Sequence, residues 1–243
     1  MPQEQLTPST APGASFWRRD LAWTLGTLVL LLAWEASGLD LASVRVWGDS
    51  QGFAWREAWL TRGLLHEGGR GLAWVVFGVM LLGLWRPWLK GPSRGERITA
   101  IVGTLTALLV VPGFKRLSHT SCPWDLSEFG GVAQYVPHWQ LGLFDGGPGH
   151  CFPSGHAAAA FAFFSLYFLW RHHHPALARL MLVGVLALGA LFAWAQLARG
   201  AHYPSHSLWS AWLCWVAVML VFLMAPRLKR LRPAAAGAAR DQA

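Results

Sequence analysis

The sequence predicts an all-α integral membrane protein with six transmembrane helices. Of its 243 residues, 54% are hydrophobic and 13% are charged, whereas soluble domains usually carry about 25% charged residues. The apolar residues fall into blocks of about 17 to 23, the length that an α-helix needs to cross the hydrocarbon layer. These blocks lie at residues 16–36, 71–89, 98–114, 154–170, 177–197 and 206–225.

The six blocks leave little sequence for a soluble module, so we expect one membrane domain over residues 16–226. Residues 1–15 are polar and Pro-rich and are expected to be disordered. They lack the charged start of a secretory signal peptide. Residues 227–243 form a basic, Ala-rich tail, and its final part is also expected to be disordered.

Lys and Arg are divided unequally between the two sides of the predicted bundle, which predicts its orientation. Cytoplasmic loops are enriched in these residues. Thirteen of the 20 lie in the N-terminal flank, the second-to-third loop, the fourth-to-fifth loop and the tail. Both termini are therefore expected in the cytoplasm, with a bacterial inner membrane as the location. The same bias explains most of the formal net charge of +8 without a nucleic-acid partner.

The first outward segment, residues 39–70, mixes aromatic and leucine side chains with charged ones. This pattern is typical of an amphipathic helix that lies in the membrane interface. Two interpretations are open at this point: the segment is an interfacial anchor alone, or it is a lid over the path by which a lipid reaches the interior.

The second outward segment, residues 115–152, is rich in Gly and Pro, and a loop of this length is usually functional or disordered. It contains Cys122 and Cys151. An oxidising periplasm would allow these two residues to bridge, which would stabilise the fold by about 3 kcal/mol in the chain-entropy model. Two free thiols are the alternative.

The tetrapeptide Pro153-Ser154-Gly155-His156 stands at the start of the fourth apolar block. Ser154 is a favourable N-cap residue, and Gly155 lets an anion approach the backbone closely. The first N–H groups of a helix have no partner within the helix and bind anions readily. A plain helix start would explain Pro and Ser, but His156 at an outward-facing boundary indicates an oxyanion site.

A second polar cluster precedes the last apolar block and contains Arg199, His202 and His206. Their spacings of three and four residues place them on one side of a helix, and Lys115 and Arg116 end the third block on the same side of the membrane. These cations suit a multiply charged oxyanion. Because imidazole acts as a nucleophile or a general acid, two histidines allow one to attack phosphorus and the other to protonate the leaving oxygen.

On these motifs the chain resembles the type-2 phosphatidic acid phosphatase superfamily over residues 115–210. The superfamily's first motif is a Lys, six residues and Arg-Pro, its second is Pro-Ser-Gly-His, and its third is an Arg, five residues, a His, three residues and an Asp. The second motif is complete here and the other two are partial. Lys115 and Pro123 match the first motif, where Cys122 replaces the Arg; His202 matches the third, where Gln196 and His206 replace the Arg and the Asp.

The resemblance implies a membrane lipid phosphatase over residues 16–226, with its active site at the periplasmic face. It implies a lipid phosphate or pyrophosphate substrate, a phosphohistidine intermediate and neither a metal nor another cofactor. His202 would attack phosphorus, and His156 would protonate the leaving group or activate water. The phosphoryl oxygens would be held by Lys115, Arg199, Ser154 and Gly155, and the place of the missing Asp would be taken by His206, Asp125 or Glu128.

Three alternatives share these residues. A lipid-to-lipid phosphotransferase would use the same site. A catalytically degenerate, lipid-binding protein is motivated by the replaced Arg and Asp of the motifs. An intramembrane serine protease would need Ser154 as its nucleophile and His202 as its base, but no Gly-x-Ser-Gly sequence precedes a helix.

Overall fold

The computed structural model describes residues 13–140 and 142–238, and the side chains of residues 16–140 and 142–225. The protein is a bundle of helices that we number in chain order. The α-helices are α1 (Gly13–Ser37), α2 (Leu39–Arg45), α3 (Gly69–Leu82), α4 (Arg94–Leu117), α5 (Gly155–Phe161), α6 (Phe164–Trp170), α7 (Pro175–Ala198) and α8 (Pro204–Ala238).

Shorter elements fill two of the connections. An antiparallel ribbon pairs β1 (Gly48–Asp49) with β2 (Gly52–Phe53). A π-helix over Trp59–Gly68 leads directly into α3. The long connection between α4 and α5 contains the 3₁₀ turns Pro123–Asp125 and Ser127–Phe129.

Within the part of the chain that the structure describes, three helices are long and apolar enough to cross a membrane: α4, α7 and the part of α8 over Pro204–Ala225. A fourth span results if α1 and α2, which are bent by 69° to one another, are counted together. The prediction of an all-α integral membrane protein is therefore confirmed, and three to four of its six spans are found. The second and fourth predicted spans fall short because α3 has 14 residues and the helix over residues 155–170 is interrupted between α5 and α6.

Both ends of the chain differ from the predicted limits. Helix α1 begins at Gly13, inside the predicted disordered segment 1–15, of which residues 1–12 lie outside the described residues. Helix α8 continues to Ala238, past the predicted end of the last span at residue 225. Ala, Leu, Arg and Lys are strong helix formers, so the basic, Ala-rich tail extends the helix as far as the chain is described; residues 239–243 lie outside that part.

The core of the bundle is formed by α4, α5, α6, α7 and α8. Close approach of α5 and α7 depends on Gly189, because a Cβ at this position would lie 2.1 Å from the ring of Phe161. Polar contacts join helices across the bundle: the hydroxyl oxygens of Thr104 and Ser165 lie 2.6 Å apart, and Trp215 Nε1 donates to Thr24 Oγ1 at 2.9 Å. Small residues and interhelical hydrogen bonds are the usual means by which membrane helices associate.

The outer faces of the helices carry large apolar side chains that the fold leaves exposed. Val29, Val75, Leu109 and Val183 each have more than 60% of their surface accessible, on α1, α3, α4 and α7 respectively. Exposed apolar surface of this extent marks a protein that contacts lipid or another apolar partner. The arrangement suits a bundle surrounded by hydrocarbon.

At the end of the bundle that carries residues 83–93 and 171–174, a buried ion pair joins Asp20 of α1 to Arg171, which follows α6. The Asp20 and Arg171 side chains are 1% and 4% exposed. The guanidinium also lies 4.7 Å from the ring of Trp17 and 4.6 Å from the ring of Phe168, which adds cation–π attraction. We call the other end, which carries residues 39–68, 118–154 and 199–206, the site end.

We expect Asp20→Ala to destabilise the protein by about 3–5 kcal/mol, because it leaves a guanidinium buried without its partner. Replacing both residues by apolar ones, as Asp20→Leu/Arg171→Met, should restore much of the stability. Thermal unfolding in detergent measures both effects. Arg179→Met, which removes an exposed arginine of α7, is the control. A double variant that unfolds at as low a temperature as Asp20→Ala would contradict the prediction.

Candidate active site

The starts of α5 and α8 meet at the site end. The backbone N–H of Ser154, which precedes α5, donates to the carbonyl oxygen of His206 at 3.1 Å. The hydroxyl of Ser210, one turn further along α8, lies 2.8 Å from the carbonyl oxygens of both Ser154 and His206. These contacts bring the Pro-Ser-Gly-His segment and the Arg-His-His segment to one place, although Ser154 and His206 are 52 positions apart in sequence.

Local sequence explains why α5 begins where it does. The Ser154 hydroxyl accepts from the N–H of Ala157 at 3.5 Å, the long end of an N-cap bond. His156 then lies in the first turn and is 7% exposed. Its Nε2 is 3.0 Å from the carbonyl oxygen of Leu65. Because a carbonyl only accepts, Nε2 carries the proton and Nδ1 is a bare acceptor, buried without a hydrogen-bond partner among the described residues.

His202 is placed by the turn between α7 and α8. The N–H of Ala201 donates to the carbonyl of Gln196 at 2.8 Å, and Gly200 adopts φ = 70°, as in the left-handed turns that end many helices. The His202 ring is 6% exposed. Its Nδ1 lies 3.4 Å from Nδ1 of His206, so Nε2 is the ring nitrogen without a protein partner in the described residues.

The predicted bridge is present: Cys122 and Cys151 form a disulfide. It ties the start of the long connection to the residues that lead into α5. Sγ of Cys151 lies 3.4 Å from Nδ1 of His202 and 3.0 Å from the carbonyl oxygen of Ala201. A disulfide sulfur has no proton to donate, so both are packing contacts. The two sulfurs and His202 are close enough to resemble a metal site, but sulfurs bonded to each other offer no thiolate ligand.

Burial lowers the pKa of His202 well below its usual value of 6.5. The positive charge of Lys115 and the neighbouring rings of His156 and His66 act in the same direction, while a hydrogen bond to the backbone of Cys151 opposes them. Desolvation and nearby cations both favour the uncharged imidazole. His202 is therefore neutral at pH 7, the form in which imidazole is a nucleophile.

Two of the predicted cations, Lys115 and Arg199, lie close to these histidines. Arg199 directly follows α7, is 7% exposed and donates from Nε to the carbonyl of Arg56 at 2.9 Å. Lys115 lies in the last turn of α4 and is partly buried. Among the described residues the Lys115 ammonium has no ion-pair partner, so it is available to a bound anion.

The structure brings only one of the three suggested orienting groups next to His202, namely His206. The carboxylate of Asp125 instead accepts from the N–H of Cys122 at 3.3 Å, within its own 3₁₀ turn. Burial, the largest effect, raises the pKa of Asp125. Glu128 pairs with Arg45 at 2.5 Å on the surface. No carboxylate in the described residues forms a hydrogen bond with His202 or His206.

A third histidine, His66, joins the cluster and was missed in the sequence. It lies in the π-helix before α3, and its ring centroid is 4.4 Å from that of His156. Its Nδ1 lies 3.1 Å from the amide nitrogen of Gln196. The signal was available, since His66 stands just before an apolar block on the predicted outward side, as His156 and His202 do.

A cleft of about 390 Å³ opens beside His156 between α3, α4 and the helix over residues 155–170. One part of its lining is polar and includes His66 and Arg70. The rest is apolar and consists of Ala73, Trp74, Phe77, Leu105, Leu108, Ala159 and Phe163. A polar head beside an apolar trough is complementary to an amphiphilic molecule.

The chain belongs to the PAP2 superfamily, whose family profile matches residues 97–230. The match runs from the first turn of α4 into α8 and includes both helix starts. The predicted resemblance is confirmed, and because the superfamily generally comprises phosphatases, membership supports a phosphoric ester hydrolase. Searches of the curated proteins and of the solved structures find no match.

We expect Gly200→Ala to destabilise the protein, because a left-handed residue with a Cβ costs about 1–2 kcal/mol and the added atom would lie 2.4 Å from the ring of Phe53. Gly184→Ala is the matched control. This glycine lies in α7 with nothing within 4 Å of an added Cβ, so the change should be neutral or slightly stabilising. Thermal unfolding in detergent compares the two, and equal midpoints would contradict the prediction.

Proposed function

We propose that the protein hydrolyses a phosphomonoester or pyrophosphate group of a membrane lipid through a phosphohistidine intermediate. One observation carries the proposal: two histidine-bearing helix starts, one before α5 and one before α8, meet beside a cleft that has a polar end and an apolar trough. Membership of the PAP2 superfamily supports phosphatase chemistry at this place.

The cleft supports a lipid as the substrate. Its polar end is lined by His66, Arg70 and His156, and its apolar lining continues along α3 and α4. These helices also carry exposed apolar side chains on their outer faces. A lipid therefore reaches the site from the bilayer, with its phosphate at the polar end and its hydrocarbon in the trough.

In the first chemical step Nε2 of His202 attacks phosphorus. The proton shared with His206 lies on Nδ1 of His202, so that Nε2 keeps its lone pair. A nitrogen–phosphorus bond forms while the bond from phosphorus to the leaving oxygen breaks. The leaving oxygen takes a proton from His156, which yields the lipid alcohol or lipid monophosphate and a phosphorylated His202.

The hydrogen bonds of His156 decide which of its ring nitrogens carries the transferred proton. Its Nε2–H is engaged by the Leu65 carbonyl, so the proton that goes to the leaving oxygen is carried on Nδ1. A bound phosphate anion favours an imidazolium beside it. The protonated form of His156 is therefore stabilised by the bound substrate.

The transferring phosphoryl group carries negative charge on its oxygens throughout. The Lys115 ammonium and the Arg199 guanidinium supply positive charge, and the N–H groups of Gly155 and its neighbours at the start of the helix supply donors. In the second step water attacks the phosphohistidine, Nδ1 of His156 accepts the water proton, and the nitrogen–phosphorus bond breaks. Phosphate leaves and both histidines return to their first state.

His206 takes the position of the Asp of the third motif as a neutral group. Its Nδ1 accepts the proton of His202 Nδ1 at 3.4 Å, which fixes the ring orientation without adding negative charge. The ring of His206 is held by an edge-on contact with Tyr203, at 5.0 Å between centroids. The orientation of the His202 ring is therefore retained. The negative charge that activates this ring comes from the bound phosphate and not from a carboxylate.

The topology that suits this chemistry has six spans, cytoplasmic termini and a site that faces the periplasm of a bacterial inner membrane. Helices α1, α4, α7 and α8 overlap four of the predicted spans, and the shorter helices α3 (Gly69–Leu82), α5 and α6 overlap the other two. The excess of Lys and Arg at the opposite end supports the orientation. The disulfide at the site end is typical of an oxidising compartment.

We expect His202→Ala to lower phosphate release by about 10³-fold or more, since it removes the nucleophile, and His156→Ala to lower it by about 10²- to 10⁴-fold. The measurement is phosphate release from a panel of lipid phosphates and pyrophosphates by the purified protein in a metal-free buffer. His119→Ala, which changes an exposed histidine of the long connection, is the control.

Alkaline quenching followed by peptide mass spectrometry should detect phosphate on His202 of the wild type and none in His202→Ala. A wild type that is no faster than His202→Ala on every lipid would contradict the proposal and favour the degenerate, lipid-binding alternative. Transfer of phosphate to a second lipid rather than to water would identify the phosphotransferase.

We expect Ala159→Phe to lower kcat/KM for a long-chain lipid phosphate by about tenfold or more, because a bulky side chain would fill the apolar trough at a cost of about 1–3 kcal/mol. A short, water-soluble phosphate ester needs no trough and should lose much less. Ala187→Phe, an equal change on an exposed position of α7, is the control. Equal losses for both substrates would show that the trough does not hold the lipid chain.

A further inference from the structure

The contact between His66 and Gln196 has no role in the steps described above. Gln196 lies in α7, is 2% exposed and stands where the third motif of the superfamily has its Arg. The amide nitrogen of Gln196 approaches Nδ1 of His66 at 3.1 Å. The buried amide of Gln196 therefore holds the His66 ring in one orientation, although the two residues are 130 positions apart in the sequence.

This contact sets the tautomer of His66. A side-chain amide nitrogen only donates, so Nδ1 accepts and the ring proton is on Nε2. Burial and the positive charges of Arg199 and Arg70 lower the pKa of His66, which keeps the ring neutral at pH 7. His66 is thereby a neutral donor whose Nε2–H is not used by Gln196.

The position of His66 is that of an active-site residue. It lines the cleft together with His156 and Arg70, and its ring centroid lies 4.4 Å from that of His156. The preceding residue, Leu65, accepts the Nε2–H of His156 through its carbonyl at 3.0 Å. Two successive residues of one π-helix thus contact the proposed acid, and π-helical turns are frequent at functional sites.

We propose that His66 is a phosphate-binding residue of this site and that Gln196 is its positioning residue. His66, held by Gln196, donates an imidazole N–H to the phosphate. In the third motif of the superfamily the corresponding donor is the guanidinium of an Arg. The inference rests on the proposed function and extends it to His66, which lies outside the three motifs, and to Gln196, which replaces the Arg of the third motif. Arg199 adds charge close by, but its Nε is engaged by the carbonyl of Arg56.

The first test compares two amide substitutions at position 66. In His66→Gln the amide nitrogen reaches the place of Nε2 and keeps the proposed donor, whereas in His66→Asn it reaches only the place of Nδ1, next to Gln196. We expect kcat/KM for a lipid phosphate to fall by about 10²-fold in His66→Ala and in His66→Asn, and by clearly less in His66→Gln. His119→Ala is the matched control.

The second test restores a guanidinium. In His66→Ala/Gln196→Arg the space left by the imidazole admits the longer side chain, and we expect this double variant to be at least several-fold faster than His66→Ala. Gln196→Leu should lose activity with His66 intact, because the ring is no longer held. Gln134→Leu, a change at an exposed glutamine, is the control for the second position.

Affinity for orthovanadate, a phosphate mimic, separates binding from folding and from turnover. It should fall in His66→Ala while the elution volume and the thermal midpoint in detergent stay those of the wild type. Unchanged vanadate affinity in His66→Ala, or His66→Asn equal to or better than His66→Gln, would overturn the proposal. If His66→Ala/Gln196→Arg is no faster than His66→Ala, the claim that His66 and Gln196 replace the guanidinium of the third motif would be overturned. A wild type that binds vanadate but cleaves no lipid would refute the proposed function alone.

Discussion

The site depends on one backbone contact, the hydrogen bond from the Ser154 N–H to the carbonyl of His206. Helix starts carry unpaired N–H groups, and at the end of a membrane bundle each must find a partner or water. Here the start of α5 uses a carbonyl of α8, and Ser210 bridges the same two residues. Because both helices are joined at their first turns, His156 and His202 are brought near one another. The disulfide ties the long connection to the residues before α5, next to His202.

The electrostatic character of the site follows from this packing. Histidines from three segments lie together with cations, and none of the described carboxylates forms a hydrogen bond with His202 or His206. In such surroundings an imidazolium is unfavourable, so the pKa values of His202 and His66 are lowered. A phosphate brings the negative charge that the protein itself does not place there. His202 is therefore neutral, as the proposed nucleophile must be, and a bound phosphate would support the positive charges that the proposed steps require.

The sequence predicted those features that are encoded locally. Uninterrupted apolar runs located α4 and α7 to within a few residues. Short motifs singled out His156 and His202 as candidate site residues, and two cysteines in one outward loop predicted the disulfide. The predictions were less successful where distant residues decide the structure. Asp125 is near the first motif in sequence, but its carboxylate serves its own 3₁₀ turn, as short acidic side chains often do. His66 meets Gln196 and His156 only in the folded bundle, and no spacing within the π-helix could have indicated these partners.

The segment over residues 59–68 has features that suit both interpretations of the first outward segment. Trp59 is 74% exposed and Leu64 is 48% exposed, as an interfacial anchor requires. The same turns present the Leu65 carbonyl and the His66 ring to His156, which places the segment over the polar end of the cleft. The exposed side chains suit the anchor, and the contacts with His156 suit the cover. Because both belong to the same ten residues, the two interpretations do not exclude one another.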